Sequence, residues 1–245
     1  MIKNNRQTMA EVCYQGTKIP VVIERKPRAK RVRLKVSRKS GQVVLVLPLR
    51  ASQQGGMAFA QSKADWIAAQ LDNLPQKNIF QDGMPLSFLG TQVVIHHSPS
   101  ARRGVWLDGN VIWVSGRAEH LPRRVLDFLK KEFASYALKK ARETADLIKV
   151  KVQKVTIRDT VSRWGSCSGS GHLSLSWRLG LAPQFVADYV IAHEVAHLVE
   201  MNHSAAFWQV VAGLCPAYRT AELWLKKNAA YLYSFGSGGE EKQPC

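Results

Sequence analysis

Cysteine is scarce in this sequence, and none of it is paired. Cys13, Cys167, Cys215 and Cys245 lie far apart and form no CxxC motif. That excludes a thiolate zinc knuckle, so histidine and carboxylate are left as the side chains able to hold a metal. Isolated thiols of this kind suit a reducing compartment better than a disulfide framework. No stretch reaches the roughly 18 apolar residues of a membrane-spanning helix. The N-terminal MIKNNRQTMAEVC also lacks the apolar segment of a signal peptide. The expectation is a cytoplasmic protein with no membrane partner. Acidic residues are few as well, with 18 Asp and Glu against 35 Lys and Arg and a net charge of +17. The excess is uneven: residues 1–144 hold 25 basic and 10 acidic side chains, and residues 145–245 hold 10 and 8. Residues 25–39 hold nine Lys and Arg and no acid. Weak nucleic-acid binding through this basic N-terminal region is therefore expected. No aromatic residue interleaves with the basic stretch, so base stacking is unsupported there.

With 46% hydrophobic and 22% charged residues, the chain has the composition of an ordinary globular protein. Residues 11–24 and 30–47 read as strands, and in Arg31-Val32-Arg33-Leu34-Lys35-Val36 charged and apolar side chains alternate. Ser40-Gly41 supplies a turn there, and residues 52–74 carry a helical pattern. A second β-rich stretch ends in the hairpin around Asp108-Gly109-Asn110. From residue 121 the period changes to that of a long amphipathic helix running to 147. Strands at 152–158 and 172–178 flank the loop Ser162 to Ser168. Pro183 opens a helix reaching about Glu200, and helices at 204–213 and 217–233 follow. The fold class is α+β. A basic β-rich region, 1–116, precedes a metal-binding catalytic domain at 117–235, and the tail 236–245 is expected to be disordered. No internal repeat is visible.

The segment His193-Glu194-Val195-Ala196-His197 carries the chemistry. Residues four apart share one face of a helix, so both imidazoles can reach a single ion. Glu194 is turned aside from ligation but stays close enough to accept a proton from water on a zinc ion (Zn2+). The histidines and the glutamate are thus predicted as metal ligands and catalytic base. The third ligand is His203 or Glu222. His203 requires the chain to turn near Met201-Asn202, with Ser204 capping the next helix. Glu200 shares the ligand face but lies too far along the axis. His96, His97, His120 and His172 lack paired spacing. Arg163 is a candidate substrate-binding or oxyanion-stabilising residue, Tyr218 a candidate substrate contact, and Asp188 a possible partner for a ligand histidine.

The motifs RWGSCS (Arg163 to Ser168), LSLSWRL (Leu173 to Leu179), DYVIAHEVAHL (Asp188 to Leu198) and NHSAAFW (Asn202 to Trp208) follow one another in fixed order. Together with KRVRLKV and CPAYR they resemble the YgjP-type, SprT-related zinc metallopeptidase-like family. The resemblance implies a small zincin-like domain with its active-site helix on a short, mostly antiparallel sheet. It further implies ligands His193, His197 and His203, Glu194 as general base, and a peptide or protein substrate. A reading from another class is a nucleic-acid-associated binding protein with a structural zinc site. The open fourth position of a three-histidine set argues against it.

Overall fold

The computed structural model describes residues 8–37, 41–73, 78–160 and 163–236. The chain divides into two compact units, residues 1–75 and 76–245. In the first, β1 (Thr8–Tyr14) and β2 (Thr17–Arg25) form a hairpin. Gln15 (φ 45°) and Gly16 (φ 80°) both take the left-handed conformation of a two-residue hairpin turn. That turn interrupts the single strand expected over 11–24. A second hairpin joins β3 (Arg33–Val36) to β4 (Val43–Leu47). Of the expected Ser40-Gly41 turn, Ser40 lies outside the described residues. The sheet order is β1-β2-β4-β3, with β2 and β4 parallel. The expected helix over 52–74 is two helices, α1 (Gln53–Gln61) and α2 (Ala64–Asp72). Val12, Val21, Ile23, Val43, Leu45 and Leu47 bury one sheet face in a core with Ala60 and Ile67. Arg33 and Lys35 lie exposed on edge strand β3, while Arg31 precedes the strand.

The second unit repeats that strand pattern, which no sequence similarity announced. Strands β5 (Pro85–Phe88), β6 (Thr91–Ser98), β7 (Val105–Asp108) and β8 (Val111–Ser115) form a sheet of order β5-β6-β8-β7. Its outer pairs are again antiparallel and its central pair parallel. The first hairpin again turns on two left-handed residues, Leu89 (φ 48°) and Gly90 (φ 85°). Helix α3 spans Leu121–Leu147, as expected, and buries the stripe Val125, Leu129, Phe133, Ala137 and Ala141. That stripe shares one core with Val93, Ile95, Ile112 and Val114. The shared core is why the compact units divide before this sheet and not near residue 116.

Strands β9 (Lys154–Arg158), β10 (Gly165–Cys167) and β11 (His172–Ser176) make a smaller sheet of order β10-β11-β9. β10 runs antiparallel to β11, and β9 runs parallel to it. Three helices complete the unit: α4 (Gln184–Ala196), α5 (Ala205–Leu214) and α6 (Tyr218–Ser234). α4 is buried almost all round, from Val186 and Ala187 to Val195 and Ala196, as an internal helix apolar on every face must be. The result is a mixed α and β fold of the zincin-like type. Among the described residues no helix is long and apolar enough to cross a membrane. The expected tail lies, beyond Gly236, outside the described residues.

Candidate metal centre

The site depends on where α4 stops. The helix ends at Ala196 with His197 as its cap residue, earlier than the expected Glu200. The N–H groups of Leu198, Val199 and Glu200 bond back to the carbonyls of Val195 and Ala196 at 3.0 Å, closing the last turn. Ser204 then caps α5 by accepting from the Phe207 N–H at 3.2 Å, as expected. The intervening turn starts at His197, sooner than Met201-Asn202, and Asn202 is not left-handed. The chain folds back so that His203 faces α4.

His193, His197 and His203 present ring nitrogens that all lie within 4.8 Å of one another. Nε2 of His193 and Nε2 of His203 are 3.0 Å apart. Two nitrogens each about 2.0 Å from one tetrahedral ion stand roughly 3.3 Å apart, so this spacing fits a shared metal. His197 Nδ1 lies 3.2 Å from the Glu200 carbonyl. Donation there leaves Nε2 unprotonated and available. Burial, and then the neighbouring His197 and His203, push the His193 pKa down to about 4, which keeps it in the neutral form a ligand requires. Fully buried Phe207 lies 4.9, 4.6 and 4.7 Å, ring to ring, from His193, His197 and His203. One side chain thus packs against all three imidazoles.

Glu194 points to the small sheet. It is 5% exposed, and burial raises its pKa to about 7 against the opposing charge of Arg163. β10 passes so close that a Cβ on Gly165 would lie 2.7 Å from Glu194 Cγ and 2.8 Å from Cδ. Any other residue at that point of the strand would force Glu194 or β10 to shift.

A family model described as "YgjP-like, metallopeptidase domain" matches residues 30–228. The chain belongs to the YgjP-like family. Membership makes it a metallopeptidase-type hydrolase whose substrates are peptides or proteins. Among curated proteins no sequence matches it. Among solved structures it is similar to the metallopeptidase zymogen of Pyrococcus abyssi abylysin, with 22% identity and a TM-score of 0.34, over 37% of this chain and 93% of that one.

Other expected residues of the YgjP-like site fall at different places. Glu222 is not in the histidine group; it pairs with Lys226 at 3.7 Å. It also lines a cavity of about 500 Å³ with Trp208, Tyr218, Arg219 and Leu223. Tyr218 stacks on Trp208 (5.4 Å) and Tyr189 (6.5 Å), and its hydroxyl accepts from Arg219 Nε at 3.2 Å. Buried Tyr189 meets the His193 ring edge-on at 5.9 Å, and burial lifts its pKa to about 12. Arg163 is exposed and acts on Glu194 through its charge. Asp188 does not serve a ligand histidine, for it accepts from Tyr136 and pairs with Lys140 at 3.2 Å, both on α3. β11 is the central strand, so the sheet edge near Glu194 belongs to β10. Two further residues are set by long-range contacts that the motifs do not show. Gly165 was legible only as part of a motif. Arg178, 1% exposed, pairs with Asp159 and donates to the Phe235 carbonyl at 2.9 Å. A charged residue inside the apolar run LSLSWRL was its signal.

Proposed function

We propose that the chain hydrolyses peptide bonds with a zinc ion held by His193, His197 and His203, and with Glu194 as general base. The observation that carries this reading is the convergence of three imidazole nitrogens within 4.8 Å of one another, with the buried Glu194 next to His193 in the chain. Three protein donors leave one position open, the pattern of catalytic sites, and imidazole suits zinc. When bound, the ion supplies Lewis acidity and lowers the pKa of a coordinated water to near 7.

The chain's own residues supply the rest. Glu194, with a pKa near 7, accepts a proton from the attacking water at neutral pH and passes it to the leaving amine. The positive charge of Arg163 favours the carboxylate form. The Glu200 carbonyl holds the His197 ring in one tautomer. Backbone groups on the β10 edge pair with an extended substrate as an added strand. Arg163 and Tyr218 contact that substrate. The test is Glu194→Gln, assayed on unstructured protein substrates with metal content measured in parallel. Retained metal with activity reduced at least ~100-fold supports the assignment. Unchanged activity would remove Glu194 from the mechanism.

A further inference from the structure

We propose that the outward face of the β5–β8 sheet binds single-stranded nucleic acid by stacking bases on its tryptophans. One face of this sheet is buried through Val93, Ile95, Ile112 and Val114. On the other, strand register aligns His96 of β6, Trp113 of β8 and Trp106 of β7 in a single row. The two indoles lie nearly parallel (12°) with centroids 6.2 Å apart, and His96 meets Trp113 edge-on at 4.6 Å. The Arg103 guanidinium sits 5.6 Å from the Trp106 ring centre. Exposed Val94 flanks the row.

The topology does not demand these side chains. In the first unit, which repeats the strand pattern, a corresponding row is Val22, Val44 and Lys35. Nor does the inner core use them. Two half-buried indoles stand on the outer face, with the Arg103 guanidinium over one end of the row and the His96–Asp82 pair (3.5 Å) at the other. They match a strand whose bases stack on the rings and whose phosphates lie at the Arg103 end. Charge supports the same occupant. Arg102 and Arg103 are exposed and, among the described residues, neither pairs with a carboxylate, on a chain of net charge +17.

The experiment is fluorescence anisotropy of the full chain with two labelled probes of equal length, oligothymidine and an abasic phosphodiester strand. A chain this basic binds both through charge alone, so the readout is the ratio of their affinities. Oligothymidine should bind wild type about tenfold more tightly than the abasic strand. That preference should disappear in Trp106→Ala/Trp113→Ala, leaving the charge-driven part. Trp106→Phe/Trp113→Phe keeps the rings and should keep the preference. Arg102→Ala/Arg103→Ala, exposed and outside the core, should weaken both probes and flatten the salt dependence. Equal affinity of wild type for both probes overturns the proposal. So does a preference that survives the double alanine variant, or tighter binding of duplex. Self-association lost in that variant, with no base preference, would assign the face to a second copy of the chain instead.

Discussion

Gly165→Ala is a one-carbon change that should separate the proposed base, Glu194, from the proposed metal ligands. The added Cβ would overlap Glu194 Oε1 and lie 2.7 and 2.8 Å from Glu194 Cγ and Cδ, against an ordinary carbon contact of about 3.5–4.0 Å. Relief requires β10 to move off the helix or Glu194 to turn aside. Glu194 is only 5% exposed, so it has little room to swing towards solvent. Overpacking of this kind costs about 1–3 kcal/mol, which lowers the melting temperature by roughly 2–12 °C for a unit of this size. Displacing a catalytic group by about 1 Å costs on the order of 100-fold in rate. The nearest atoms to the new methyl all belong to Glu194, so metal content should stay at the wild-type level. Peptide hydrolysis, thermal melting and elemental analysis on one preparation decide the matter. Wild-type activity and melting in Gly165→Ala would refute the claim that β10 positions the carboxylate.

Phe207→Ala removes the ring packed against all three histidines. It should cost about 3–5 kcal/mol in denaturant unfolding and weaken metal retention during dialysis against chelator. Arg178→Ala removes the buried guanidinium from Asp159, which keeps the Trp177 N–H, and takes away the donor to the Phe235 carbonyl, so a loss of about 1–3 kcal/mol is expected by the same measurement. Burial, and then Glu194, push the Cys167 thiol up to about 11. A raised pKa means less thiolate at pH 8, so alkylation there should run up to about 100-fold slower than for an ordinary exposed thiol and accelerate towards pH 11. Peptide mass spectrometry against exposed Cys13 reads this directly.

What could be read from the sequence was mostly local. Residues 193 and 197 share a helix face by spacing alone, and the period of 121–147 marks α3 from end to end. Ser204 as a cap and His203 beyond a turn also follow from short-range rules. Long-range pairing was hidden. The Gln15-Gly16 turn carries no Asn-Gly or Asp-Gly signature, so two strands read as one. The repeated sheet is encoded in pairings between distant strands whose side chains differ, as Val22, Val44 and Lys35 differ from His96, Trp113 and Trp106. The unit boundary depends on which sheet shares a core with α3. The contact of Gly165 with Glu194 joins strand to helix across 29 residues of chain. The direction of Asp188 is hidden from the sequence for the same reason, since its partners lie on α3.

Metal content tests the central claim most directly. Wild type, His203→Ala and Glu222→Ala are purified without added metal and analysed for bound elements. The account predicts about one zinc per chain in wild type and Glu222→Ala, and loss of it in His203→Ala. Zinc kept in His203→Ala and lost in Glu222→Ala, or no stoichiometric metal in wild type after reconstitution, would contradict it.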